Sequence, residues 1–209
     1  MNILIAVPSM DTVPAVFAQS LAMLEKVENC AVAFQVGSLV YDSRNKLGKK
    51  ALEMEADYIF WLDSDMMFEP DILKRMYEEA IENDYDILSG VYYRRRSPYT
   101  PVLFDKLDVV AGRAYTSEFK ELPDKTFEVG AIGFGCVLMK VQVLFDMMSK
   151  YNDMFTPVYS AGEDISFCIR AKELGYKIYA NPEYYLGHYS QTIVNRQFYE
   201  AYKRGKENA

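Results

Sequence analysis

Two carboxylates spaced two apart, Asp63 and Asp65, follow directly on the apolar run Tyr58-Ile59-Phe60-Trp61-Leu62. A short run of aromatic and branched residues reads as a buried parallel strand. In an extended chain residues i and i+2 project to the same side, roughly 6.5 Å apart, so the two acids would stand together at the strand's carboxyl end. That end is where open α/β sheets bind their ligands. Two acids beside an apolar strand are costly to desolvate without a cation, and a hard divalent ion shared with a phosphate is their natural partner. The competing reading makes Asp63-Ser64-Asp65 a solvated loop ahead of a helix that begins at Glu69-Pro70-Asp71.

A second acidic pair, Glu163-Asp164, opens a helical pattern that closes at Gly175. Neighbouring helix residues point about 100° apart and cannot both serve one atom. One acid is therefore chemical and the other structural. The helix N-terminus favours the ionised form, whereas partial burial raises the pKa. His188, the only histidine of the chain, follows Tyr184-Tyr185-Leu186-Gly187, where a glycine lets the backbone approach closely. Asp42-Ser43-Arg44-Asn45 reads as a helix start, and Asp42 and Ser43 are good capping residues there.

The elements that must carry these groups alternate strand and helix through the first half, as in a doubly wound parallel sheet. Strands are expected at Ile3–Val7, Ala31–Val36, Asp57–Leu62 and Asp86–Tyr92, with helices over 12–27, Asp42–Glu55 and 70–83. Beyond residue 93 the alternation stops. Pro101–Phe104 and Asp108–Ala111 read as strands of a small antiparallel appendage, and the run from Phe127 to Met139 mixes β-formers with three glycines. Glycine in a strand marks a bulge, tight packing or close approach of a ligand. Helices at 141–150 and 163–174, a short strand Lys177–Ala180 and a polar, aromatic tail helix from Gln191 complete the chain.

At 209 residues, with half of them hydrophobic, the composition describes one globular unit. A formal charge of -7 argues against a broad nucleic-acid footprint, and Arg94-Arg95-Arg96 stands out as a local basic loop, solvated or facing phosphate. Cys30, Cys136 and Cys168 lie at unpatterned spacings, which suits reduced thiols and a cytoplasmic protein. The start lacks a signal-peptide pattern and no segment reaches the ~18 apolar residues of a membrane span, so the expectation is a soluble protein, at most peripheral to a membrane.

Taken together these pieces resemble the GT-A glycosyltransferases, and most closely the family 2-like enzymes. The resemblance spans about residues 2 to 190 and rests on the first strand with Pro8, Asp42 to Asn45, Asp63-Ser64-Asp65, the glycines of 130–135, Gly162-Glu163-Asp164, Arg170, Gly175 and His188. It implies an α/β, Rossmann-like nucleotide-diphospho-sugar transferase fold, with a mostly parallel sheet flanked by helices. Residues 1–92 would form the donor half, 93–190 the acceptor and catalytic half, and 191–209 a tail. The implied donor is a UDP- or GDP-sugar, the acceptor is unidentified, and the cofactor is Mn²⁺ or Mg²⁺. Asp65 would ligate the metal, with Asp63 on the ribose or a metal-bound water and His188 completing the site. Pro8, Ser9, Asp42 and Arg44 would line the nucleotide pocket. Asp164 would be the general base that makes the reaction inverting, supported by Glu163.

Three rivals compete. A haloacid-dehalogenase-type phosphatase also places Asp-x-Asp after a strand, but on the first strand and with Thr or Val where Met67 stands. A sugar nucleotidyltransferase wants a glycine-rich loop where Val7-Pro8-Ser9-Met10-Asp11 has none. A non-catalytic nucleotide-sugar or carbohydrate binder would have no use for Asp63, Asp65, Asp164 and His188 together.

Overall fold

The computed structural model describes residues 2–27, 29–37, 39–190 and 193–207. In chain order the elements are β1 (Ile3–Ser9), α1 (Ala15–Met23), β2 (Cys30–Val36), α2 (Val40–Glu53), β3 (Tyr58–Leu62), β4 (Met66–Phe68), α3 (Ile72–Glu82), β5 (Ile87–Gly90), β6 (Leu103–Phe104) and β7 (Lys106–Val110). There follow β8 (Arg113–Ser117), β9 (Phe127–Val129), β10 (Ala131–Ile132), β11 (Cys136–Lys140), α4 (Val141–Tyr151), α5 (Glu163–Glu173), β12 (Ile178–Asn181), β13 (Leu186–His188) and α6 (Arg196–Glu207).

The central sheet has seven strands in the order β2-β1-β3-β11-β5-β12-β9. β2, β1, β3, β5 and β12 run one way, and β11 and β9 run against them. The pleat divides its side chains between two cores. Leu4, Ala6, Ile59 and Trp61 face one side with residues of α2, α4 and α5. Ile3, Ile5, Val7, Phe60 and Leu62 face the other with residues of α1 and α3. All five residues of β3 are buried, so the run is apolar throughout because both faces are covered. Each such side chain contributes roughly 1.5–3 kcal/mol.

Several expectations shift in detail. The first helix covers Ala15–Met23 rather than 12–27: Pro14 stands at its N-cap, and Leu24 is already extended. Leu24 is buried and Val13 and Val27 pack at the same core, all from non-helical backbone, which mimicked helical spacing. α2 begins at Val40, two residues before the expected cap, and no side chain caps it. The glycine-rich stretch supplies β11, which inserts antiparallel between β3 and β5 at the centre of the sheet. The appendage is a β7–β8 hairpin, and Ala111, expected in a strand, lies in its turn beside Gly112 with positive φ at both. The polar strand β8 has no apolar alternation to announce it.

A two-stranded ladder pairs β4 with β13 and sets His188 opposite Met66, one residue from Asp65. The tail helix α6 packs through Tyr199 on Tyr93 and through Phe198 on Tyr99. Gln191, Thr192, Asn208 and Ala209 of the expected tail lie outside the described residues. Among the described residues no helix is long and apolar enough to cross a membrane.

Candidate active site

The end of β3 is held in a fixed turn. The Asp63 N–H donates to the Gly135 carbonyl at 3.0 Å, and the Met66 N–H donates to the Asp63 carbonyl at 3.1 Å. Asp63 Oδ1 then accepts from Arg44 Nη2 at 2.7 Å. Arg44 rises from α2 into the interior, where only 2% of it is exposed. Its guanidinium lies against the Trp61, Phe134 and Phe155 rings, 5.2 to 5.9 Å from their centroids, and its Nε is 3.6 Å from Glu163 Oε1. Burial alone would lower the Arg44 pKa, but Asp63 and Glu163 reverse this and hold it above its ordinary value. Burial raises the Asp63 pKa, Arg44 opposes the rise, and the neighbouring Asp65 charge adds to it.

Arg44 Nη1 and the Ser43 hydroxyl are buried without a hydrogen-bond partner among the described residues. Leaving such groups unpaired costs about 1–3 kcal/mol each. Both residues line a cavity of about 220 Å³ with Pro8, Ser9, Asp63, Asp65 and Glu163. Polar atoms unsatisfied at a cavity wall are suited to a polar ligand. Asp42 is not brought to it. The register of α2 turns Asp42 toward Lys46, 2.7 Å away on the outer surface.

Asp65 lines the same cavity. Its Oδ2 is 3.0 Å from Arg95 Nη1 and 3.5 Å from His188 Nε2. The main chain fixes this corner: Tyr189 N–H donates to the Asp65 carbonyl at 2.8 Å, and His188 N–H to Val194 at 2.8 Å. His188 Nδ1 lies 2.8 Å from the Tyr93 carbonyl, which can only accept, so Nδ1 carries the proton. Nε2 therefore faces the Asp65 carboxylate, as a donor when the ring is protonated and with the lone pair a metal-binding histidine needs when it is neutral. Burial would raise the Asp65 pKa, but His188 and Arg95 outweigh it and hold the carboxylate below its ordinary value.

A carboxylate and an imidazole nitrogen form a donor set that fits Mn²⁺, and the carboxylate fits Mg²⁺. Among the described residues no three His, Cys, Asp or Glu side chains are grouped to hold an ion. Asp63 is turned to Arg44, so such an ion would take its remaining ligands from phosphate oxygens and water.

Glu163 and Asp164 separate as adjacent helix residues must. Glu163 turns to Arg44 and the cavity, whereas Asp164 Oδ1 accepts the Ile165 N–H at 2.7 Å. Burial first, and then the Glu163 charge, push the Asp164 carboxyl up to about 6.

Sequence reasoning missed Tyr92 and the cage around Arg44. A β-carbon at Gly133 would come 2.2 Å from the Tyr92 hydroxyl oxygen, and one at Gly135 would come 2.8 Å from its ring. The two glycines make room for that ring. Burial, followed by the Asp63 and Asp164 charges, raises the Tyr92 phenol well above its ordinary pKa and keeps it neutral. The Gly133-Phe134-Gly135 spacing was the signal that a bulky neighbour approaches there.

The strand order, with the acids at the end of β3, is that of a GT-A fold, and residues 44–145 match the Glycosyl transferase family 2 model. Among solved structures the chain is similar to A197 from STIV, with a TM-score of 0.68 and 21% identity, over 93% of this chain and 94% of that one. It is also similar to S. aureus TarS 1-349 in complex with UDP-GlcNAc, with a TM-score of 0.53 and 18% identity over 88% of this chain. TarS 1-349 without that ligand gives 0.54 and 15%. The chain spans only 57% and 59% of the TarS chains, and at these identities the likeness is one of fold. Comparison with curated protein sequences gives no significant match.

Proposed function

We propose that the protein transfers a sugar from a nucleoside-diphosphate sugar to an acceptor hydroxyl, with inversion and with a divalent metal. The observation that carries this reading is the cavity at the end of β3, lined by Asp65 and by Arg44 and Ser43 with their buried, unpaired atoms, with His188 Nε2 3.5 Å from Asp65. Pro8 and Ser9 line it, and Arg44 and Ser43 offer the donors a nucleotide would satisfy. The likeness to TarS, solved with UDP-GlcNAc, makes that compound the first donor to try.

In the reaction the acceptor oxygen attacks the anomeric carbon as its proton passes to Asp164. The bond from that carbon to the diphosphate breaks, and its electron pair leaves with the nucleoside diphosphate. A carboxyl held at about 6 is mostly ionised at neutral pH, yet more basic than a solvated aspartate, which suits a general base. Glu163 and Asp63 hold the Arg44 guanidinium between the two halves of the site. Bound Mn²⁺ or Mg²⁺, held by Asp65 and His188, would stabilise the negative charge of the leaving diphosphate. Three free thiols, two of them buried, accord with work in the cytoplasm.

Calorimetric titration of UDP and GDP with and without Mn²⁺ tests the reading. Binding that needs the metal and is lost in Asp65→Asn supports it. Equal nucleotide affinity in metal-free wild type and in Asp65→Asn would sink it.

A further inference from the structure

A second and larger cavity, of about 790 Å³, opens beside the first and is lined by Arg94, Arg95, Arg96, Ser97, Tyr92 and His188 among others. Arg95 and His188 both reach Asp65, so this cavity begins where the nucleotide cavity ends. Tyr92 belongs to its wall and interacts electrostatically with both Asp63 and Asp164. A molecule lodged there lies against Tyr92 and His188, beside Asp65, on walls that share no residue with the nucleotide cavity, and this is the place assigned to the acceptor.

The chemistry of the wall is unusual for this chain. A protein of net charge -7 sets three consecutive cations along one cavity. Their present partners are weak or few. Arg94 reaches Glu118 at 3.7 Å with both side chains about half exposed, a pair worth little in water. Arg95 touches Asp65. Arg96 has no carboxylate within ion-pair distance among the described residues.

The loop is nevertheless built to hold its shape. Arg94 N–H donates to the Thr100 carbonyl at 3.0 Å and Tyr99 N–H to the Arg96 carbonyl at 2.8 Å. The Ser97 hydroxyl donates to the Tyr202 hydroxyl at 3.2 Å, and Tyr99 packs edge-on against Phe198 and Tyr202 of α6. A fixed loop of like charges stores repulsion, which an anion relieves and a neutral sugar does not. Guanidinium forks match phosphate oxygens in charge and geometry.

We infer that the acceptor is a phosphate-bearing molecule whose phosphate is gripped by Arg94 and Arg96 while its hydroxyl reaches toward Asp164. The inference rests on the glycosyltransferase reading only in assigning this cavity to the acceptor.

The test is calorimetric titration of the full chain, with Mn²⁺ and UDP saturating so that phosphate cannot occupy the nucleotide cavity. The probes are glucose 6-phosphate, glucose and inorganic phosphate. Flotation with vesicles of phosphatidylglycerol or of phosphatidylcholine shows whether the phosphate belongs to a soluble sugar or to a lipid headgroup. The expected result is that glucose 6-phosphate binds at least about tenfold more tightly than glucose, or phosphatidylglycerol captures the protein where phosphatidylcholine does not. Arg94→Gln combined with Arg96→Gln, confirmed as folded by an unchanged melting transition, should lose that preference and keep UDP affinity. The inference is overturned if neither phosphate-bearing probe outbinds its counterpart, or if inorganic phosphate binds as tightly as glucose 6-phosphate. It is also overturned if the double variant weakens UDP as much as the phosphate probe, which would put the arginines on the donor. Wild-type protein that binds phosphate probes but no nucleotide would overturn the donor assignment instead, so the two failures are distinct.

Discussion

Replacing Asp164 with asparagine separates two consequences of its buried position. The side chain keeps its shape and its carbonyl oxygen can still accept the Ile165 N–H, so only the charge is removed. A carboxyl held at about 6 rather than 3.8 costs the folded state up to about 3 kcal/mol once fully ionised. Between those values the folded chain holds the proton and the unfolded chain has lost it, so wild-type stability falls as pH rises through this window and then levels off. Asp164→Asn lacks this loss. It should match the wild type near pH 4 and be the more stable protein at pH 8, by roughly 6–12 °C in melting temperature for a chain of this size. Transfer should fall about 10²- to 10⁴-fold with nucleotide affinity kept, since a base acts on the acceptor's proton. Wild-type kcat/KM should rise with pH through about 6. Urea or thermal melts at pH 4, 6 and 8, paired with turnover on a confirmed acceptor, measure all three. A stability difference that stays constant from pH 4 to 8 would refute the buried-carboxyl argument, and undiminished turnover would remove the role of base.

The remaining expectations concern the nucleotide end and the packing beneath it. His188→Ala should weaken Mn²⁺-supported UDP binding by about tenfold or more, beyond the few degrees of metal-free melting temperature that losing its hydrogen bond to the Tyr93 carbonyl costs, and calorimetry at wild-type affinity would exclude it as a ligand. Arg44→Met should destabilise by about 3–5 kcal/mol because it strands the Asp63 charge, and adding Asp63→Asn should recover part of that. Additive losses in urea melts would show that the 2.7 Å pair is not coupled. Gly133→Ala should cost about 1–3 kcal/mol by forcing the Tyr92 ring aside, whereas an unchanged melt would show that the ring has room to move.

The acids of β3 were legible because an apolar run with a fixed two-residue period states both burial and direction. Glu163 and Asp164 were legible for the same reason, since helix geometry separates neighbours by itself. Arg44 was placed in the nucleotide pocket, but its depth was not foreseeable: its cage draws on Trp61, Phe134 and Phe155, far apart in sequence. Asp42 looked equally suited, and only the start of α2 at Val40 turns it outward. His188 was singled out, yet the ladder that carries it to Asp65 joins three-residue strands too short to show any period. The run from Phe127 to Met139 was legible as strand, but the antiparallel place of β11 between β3 and β5 was not, because its pairing depends on partners that precede it by dozens of residues.

The position of β11 bears on how the molecule comes into being. During synthesis β3 and β5 emerge well before the strand that must separate them, so a chain released at residue 92 would carry two unpaired apolar edges facing an empty slot. Residues 1–92 are therefore not a module that could be excised or exchanged between relatives. The nascent chain must stay unaggregated until residue 140 is available, and Asp65 waits until residue 188 for the histidine beside it. Pairings of such long sequence separation form slowly, which makes the interval before the last ladder closes the time when the polypeptide is most exposed to misassembly.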